Sequence, residues 1–348
     1  MMKKFVFVLM LLIPFKVLGY NCNAKSAILM DNDSHRVLYA KNVHDVQSVA
    51  SISKVMTAIV SIENKNVNKV VTVGDEIKKA YGSGIYVKEG EKIKLEDLLY
   101  GLMMRSGNDA ALVIAKNVGG GVDNFVKLMN KEARKIGMTD TVFNNPSGLD
   151  EEKGNFSSAY DMALLMSYAM QNDEFKKIVG TKNHIVKTNK NVYKWRNKNK
   201  LLFLYPYIVG GKTGFTKIAR RTLVTSASKD GLNLTVVTLN DGSDWSDHKN
   251  LYEEAFKEYT SYLLLKKGDI SIIGENYYKK GFYIKKDIKY PLRKGEEALL
   301  KIKYDLLKKR KYKAGDKVGM ALVYLGDNEV GHEDIFIKEK GWHLFKHD

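Results

Sequence analysis

Ile52, Val55, Met56 and Ile59 recur at helical spacing, so a helix is expected to begin at or just before Ser51 and to bury that stripe. Upstream, residues 27–31 and 36–40 are apolar runs flanking the turn-forming Asn32-Asp33-Ser34, the pattern of a β-hairpin leading into the helix. Residues 95–104 and 109–118 are two further apolar helical stretches, joined by the polar loop Arg105-Ser106-Gly107-Asn108. An amphipathic helix over 123–136 is stopped by Gly137, and residues 158–171 give another. Asn144 to Asp150 is rich in turn formers.

The period then shortens. Residues 207–216 are expected to form a strand whose glycines admit a close backbone approach. Two more strands, 221–228 and 232–239, are joined by a turn carrying Asp230-Gly231. A long helix is expected over 244–265. Beyond Lys266-Lys267-Gly268, residues 282–290, 298–304, 317–325 and 335–338 alternate with period two between turn residues. The expected architecture is an α+β domain over 24–266, an antiparallel sheet with a helical cluster, followed by a small all-β domain over 270–348.

Composition adds an address. The 348 residues are 44% hydrophobic and 28% charged, enough to bury a sizeable core and too long for one ordinary domain. Residues 1–23 read as an export signal: Lys3 and Lys4 precede an apolar run over 5–15 that is short for a membrane span, and cleavage is expected near Gly19 or Ala24. The single cysteine, Cys22, excludes an internal disulfide and fits a bacterial envelope protein. Losing Lys3, Lys4 and Lys16 with the signal takes the formal charge from +17 to +14. Outside a bacterial cell such a surface favours anionic wall polymers or lipid head groups. The basic residues are dispersed and show no zinc-finger, RNP or basic-zipper pattern, so nucleic acid is not an expected partner.

Ser51 stands three residues before Lys54 on the expected helix, so both side chains can face one cleft. A serine hydroxyl needs a base to become a useful nucleophile. A lysine in the first turn of a buried helix is desolvated and near the positive end of the dipole, which brings its pKa toward that of a working base. The free N–H groups at a helix start can also hold an oxyanion. Alone this pair is weak. Two more motifs follow in order, Ser106-Gly107-Asn108 between helices and Lys212-Thr213-Gly214 in a strand, and together the three form the set found in penicillin-binding proteins and class A β-lactamases.

These motifs, with Leu95-Glu96-Asp97-Leu98-Leu99-Tyr100-Gly101-Leu102, Asn145-Pro146-Ser147-Gly148-Leu149-Asp150 and Gly211 to Thr216, resemble the low-molecular-weight D-alanyl-D-alanine carboxypeptidases, the serine peptidases related to penicillin-binding protein 5. The resemblance spans roughly residues 24–262 and, more loosely, that family's β-rich second domain. It implies that Ser51 attacks the carbonyl between two terminal D-alanines of a peptidoglycan stem peptide, with Lys54 as general base. It further implies that Ser106 relays a proton, Asn108 holds the substrate backbone, Lys212 steadies Ser106, Thr213 binds the terminal carboxylate, and the N–H groups of Ser51 and Phe215, beside Gly214, hold the oxyanion. β-Lactams would acylate the same serine. No cofactor or metal is implied.

Two features depart from the family pattern. Many members end in an amphipathic helix on the membrane, whereas residues 340–348 are too short for one, so the mature protein is expected in a soluble fraction unless the signal is retained. Lys217-Ile218-Ala219-Arg220-Arg221 is unusually basic and bears on substrate preference. A class A-like β-lactamase is the nearest rival. Glu151 and Asn155 have the spacing of its deacylating loop, yet follow a carboxypeptidase-like run. A wall-binding protein that keeps the fold without turnover is the other alternative. There is no Gly-x-Ser-x-Gly elbow and no His-Glu-x-x-His, and His343 and His347 form only a terminal pair.

Overall fold

A computed structural model describes residues 22–150, 153–275, 277–308 and 310–338. Residues 1–21 of the expected export signal 1–23, Glu151 and the tail 340–348 with His343 and His347 lie outside the described residues.

A five-stranded antiparallel sheet is the frame for the helices. Its order is Val37–Lys41, Ser26–Asp31, Leu232–Leu239, Arg220–Lys229, Ile208–Thr216. The expected hairpin forms, with Ile28 opposite Ala40. Side chains alternate between two cores, as strand geometry requires. Ile28, Met30, Val224 and Val237 face one cluster, which includes Val55, Met56 and Ile59 of the helix Lys54–Asn64. Ala27, Leu29, Leu223 and Val236 face the other, with Leu251, Tyr252 and Ala255 of the helix Asp244–Glu258. Both faces are covered, which is why these strands read as nearly continuous apolar runs.

The helix expected over 244–265 stops at Glu258, and Tyr259–Leu265 is a strand paired with Ile288–Arg293. The segment Tyr-Thr-Ser-Tyr-Leu-Leu-Leu is aromatic and β-branched at its start, and an apolar run fits either period until a partner strand decides. Residues 282–290, expected as one strand, are split between Phe282–Ile284 and Ile288–Arg293. The C-terminal sheet runs Gly268–Ile270, Phe282–Ile284, Asn328–Ile337, Lys317–Leu325, Leu300–Leu306 around Phe282, Ile284, Val318, Ala321, Ile335 and Ile337. The chain thus combines a helix-and-sheet catalytic-type domain with an all-β C-terminal domain. A hairpin of Asn183–Lys187 and Val192–Arg196 and the helix Asp173–Gly180 carried no expectation; both are short and half-exposed.

Candidate active site

The Ser51 segment folds as a 3-10 turn, Ala50–Ser53, that runs straight into the helix starting at Lys54. Ala50 takes a left-handed conformation with φ 49°. The loop 144–150 presses against this turn. Asn145 Oδ1 accepts from the N–H groups of Ser147 and Gly148 at 3.1 and 2.7 Å, shaping a tight turn of the Asx kind. Gly148 has φ +79°, and a Cβ there would sit 2.1 Å from the Ala50 carbonyl oxygen, so only glycine fits. That packing aims the Ser147 carbonyl at Lys54.

Lys54 is fully buried. Its Nζ lies 3.1 Å from Ser51 Oγ and 2.8 Å from Asn108 Oδ1, and it also donates to the Ser147 carbonyl. A neutral amine has two N–H donors and one lone pair. Asn108 and Ser147 occupy the donors, which leaves the lone pair for the Ser51 proton. Burial, and secondarily the positive charge of Lys198, bring the Lys54 pKa down from 10.5 to about 7. Burial is the dominant cause, ahead of the electrostatic effects read from the sequence.

Ser106 ends a short π-helical turn, Gly101–Arg105, and adopts φ 65° before the helix Asn108–Gly119 begins. A non-glycine residue in this region is uncommon and clusters at functional sites. Asn108 is fixed at both ends: its N–H donates to Ser83 O at 2.8 Å and its Nδ2 to Tyr81 O at 2.6 Å. Asp109 accepts from the N–H groups of Ile85 and Tyr86, so the segment 81–86 becomes the wall beside Ser106.

The strand Ile208–Thr216 is an edge of the main sheet, with Gly214 opposite Thr222 and Phe215 opposite Arg221. A Cβ on Gly214 would lie 2.3 Å from Thr222 Oγ1 and 3.1 Å from the backbone nitrogens of both Ser51 and Ile52. The missing side chain lets the strand come up against the nucleophile turn. Lys212 is buried, and its Nζ donates to the Thr213 carbonyl at 2.6 Å rather than to Ser106. Burial, then the charges of Lys54 and Lys198, hold its pKa well below the lysine range.

Ser51, Ser106, Thr213, Gly214 and Phe215 line one cavity of about 400 Å³, completed by Ser83, Lys198, Arg221, Asp244 and Trp245. Lys54 and Lys212 lie buried and Asn108 bonds to Lys54, so the three motifs converge. Of the basic segment 217–221, Arg221 reaches the cavity, paired with Asp244 and set over the Trp245 ring at 5.6 Å. Lys198, Ser83, Asp244, Trp245 and the Ser147 carbonyl carried no sequence signal; the last is a backbone atom, which no residue pattern reports. Asn155 Oδ1 accepts from the N–H groups of Asn144 and Asn145, and its Nδ2 donates to Asn145 O, so its side chain is engaged in holding the loop.

Comparison with known proteins agrees with this geometry. The D-alanyl-D-alanine carboxypeptidase family matches residues 15–243, and the penicillin-binding protein 5 C-terminal domain matches residues 259–340. The chain is 32% identical over 312 residues to the D-alanyl-D-alanine carboxypeptidase DacF of Bacillus subtilis, covering 79% of each protein. Penicillin-binding protein 5 from Haemophilus influenzae superimposes with a TM-score of 0.76 at 26% identity, covering 92% of this chain and 98% of that one. Penicillin-binding protein 6B from Escherichia coli does so with a TM-score of 0.71 at 28% identity, covering 92% and 97%. Sequence, fold and cavity together assign the chain to the D-alanyl-D-alanine carboxypeptidase family of serine peptidases, with the C-terminal domain of penicillin-binding protein 5.

Proposed function

We propose that this chain removes the terminal D-alanine from peptidoglycan stem pentapeptides through an acyl-enzyme on Ser51. The observation that carries the reading is the buried Lys54 amine beside Ser51 Oγ, with its two other contacts on acceptors. Lys54 takes the Ser51 proton as Oγ attacks the carbonyl carbon. The resulting oxyanion is held by the N–H groups of Ser51 and Phe215, which the Gly214 approach brings together. Collapse of the tetrahedral intermediate breaks the peptide bond. The departing amine of D-alanine takes a proton relayed through Ser106, and water then attacks the ester and frees Ser51. Asn108 holds the substrate backbone, and Thr213, whose carbonyl is fixed by the buried Lys212 amine, receives the terminal carboxylate. β-Lactams present the same carbonyl and carboxylate, and so acylate Ser51 in the same way.

The reading extends to location and partners. A signal that ends between Gly19 and Ala24 exports the chain, the domain that follows it, up to residue 266, acts on peptidoglycan at the outer face of the bacterial membrane, and 270–348 form the accessory β-domain. No helix among the described residues is long and apolar enough to cross a membrane. Anionic wall polymers or the membrane surface are the further partners that the formal charge of +14 left after the signal favours.

Fluorescent penicillin supplies the direct test. The wild-type protein should be labelled covalently and Ser51→Ala should not; labelling that persists in Ser51→Ala removes Ser51 as nucleophile. Incubation with a stem pentapeptide should release D-alanine. Rapid penicillin hydrolysis without D-alanine release would favour the β-lactamase reading instead.

A further inference from the structure

On the far side of the turn that follows the strand Leu232–Leu239, the first described residues meet the helix Asp244–Glu258. Cys22, Asp241 and Asp247 come together there, all buried, with one donor atom from each lying within 4.8 Å of the others. Cys22 Sγ donates to Asp247 Oδ2 at 3.1 Å, and the Asn23 N–H donates to the same oxygen at 2.7 Å. Asp241 Oδ1 accepts from the Ser243 N–H at 2.8 Å. Its Oδ2 is buried without a hydrogen-bond partner, on a side chain only 1% exposed. Buried polar atoms are nearly always partnered. A buried carboxylate oxygen without a hydrogen-bond partner, beside a second carboxylate and a thiol, therefore points to a cation as its counterpart.

We propose that Cys22, Asp241 and Asp247 form a binding site for a divalent cation of the zinc class, separate from the catalytic cavity. One sulfur and two carboxylate oxygens select a borderline-soft ion over magnesium or calcium, which favour all-oxygen shells. On binding, the Cys22 S–H bond breaks, its proton leaves to solvent, and the thiolate sulfur takes the metal. Asp247 Oδ2 exchanges its hydrogen bond from the thiol for the cation and keeps the one from the Asn23 N–H, while the Ser243 N–H goes on orienting Asp241. Metal–sulfur and metal–oxygen bonds of about 2.3 and 2.1 Å set neighbouring ligand atoms about 3.6 Å apart in a tetrahedron, so the Cys22 Sγ–Asp247 Oδ2 pair, now at 3.1 Å, opens by about 0.5 Å. Three protein ligands leave one position for water.

The N-terminal segment is built to stay in place for this. The Cys22 N–H donates to Tyr39 Oη at 3.3 Å, and the Cys22 carbonyl accepts from Lys41 Nζ at 2.7 Å. A bound cation would fasten that segment to the helix whose first residues, Asp244 and Trp245, line the catalytic cavity. The site requires the exported chain to begin at or before Cys22, which selects the Gly19 side of the expected cleavage region over Ala24.

Cadmium titration of the chelator-treated protein provides the test, because thiolate-to-cadmium charge transfer absorbs in the ultraviolet. We expect an equimolar end point in the wild type, no band in Cys22→Ser, and cadmium affinity weakened on the order of 100-fold in Asp241→Asn. Circular dichroism and the thermal midpoint of each variant check its fold, and Cys22→Ala replaces Cys22→Ser where the serine variant does not fold. Absence of the band in the wild type, its survival without Cys22, unchanged affinity in Asp241→Asn, or an exported chain whose intact mass lacks Cys22 would each overturn the proposal. None of these outcomes depends on the carboxypeptidase reading.

Discussion

Among single residues, Lys54 carries the most chemical information. A base works in its deprotonated form, so the rate of penicillin acylation should rise with pH through about 7 and then level off. Lys198 lowers the Lys54 pKa by its charge, so Lys198→Ala should move that rise to higher pH. A profile flat across neutral pH would remove Lys54 as the base. His248 makes a separate prediction about stability. It is fully buried, its ring nitrogens bond to Thr225 Oγ1 and Thr238 Oγ1, and burial pushes its pKa from 6.5 down to about 3. Below pH 6.5 the unfolded chain binds a proton that the folded one refuses, so folding stability falls as pH drops, until the folded value is reached near 3. The loss should be about 1.4 kcal/mol per pH unit in this window. Urea unfolding at neutral and mildly acidic pH should show the wild type losing stability relative to His248→Gln as pH falls, a difference in which the opposite contribution of buried carboxylates such as Asp31 cancels.

The secondary-structure elements meet most closely where the strand Ile208–Thr216 faces the Ser51 turn. Gly214→Ala adds a methyl group where the nearest atoms stand at 2.3 and 3.1 Å, so strand and turn must separate. A misplacement of that size costs about 100-fold in rate when it disturbs a catalytic geometry. Acylation kinetics should therefore drop on that order, while the thermal midpoint moves much less. A variant that acylates at the wild-type rate would separate the glycine from the site. This close approach was legible in the sequence, because a glycine within a strand signals a neighbour that leaves no room for a side chain. The end of the helix Asp244–Glu258 was not. Residues 259–265 suit either period in isolation, and pairing with Ile288–Arg293 chose the strand.

For the molecule as a whole, Arg36 joins the main sheet's hairpin to the C-terminal portion. Its guanidinium pairs with both carboxylate oxygens of Glu296 at 2.8 and 2.6 Å, donates to Pro291 O at 2.6 Å, and lies between the rings of Tyr259 and Tyr290. Burial alone would raise the Glu296 pKa; hydrogen bonds from Arg36 and the Arg293 N–H outweigh it and hold the carboxyl below its usual value. The contact should therefore persist at neutral pH and weaken only as acid takes the pH below the ordinary glutamate range. Arg36→Ala removes one member of a largely buried pair and should cost on the order of 2 kcal/mol. Limited proteolysis should then cut more readily near residues 258–268, with penicillin acylation unchanged. Unaltered cleavage would show that other contacts suffice.

The amino-acid sequence determined the order and type of most elements, because each carries its own periodicity and turn chemistry within a short window. It also marked Ser51, Lys54, Ser106, Asn108, Lys212, Thr213 and Gly214, since reactive residue types at fixed short spacings are visible without any fold. Convergence of those stretches on one cavity, the Ser147 carbonyl on Lys54, and the entry of Lys198, Asp244 and Trp245 were decided only in three dimensions. So was the meeting of Cys22 with Asp241 and Asp247 from the opposite end of the catalytic domain. The physical reason is one of range. Backbone preference and hydrophobic period act between near neighbours in the chain, whereas desolvation, which brings the Lys54 pKa to about 7, is set by everything packed around it.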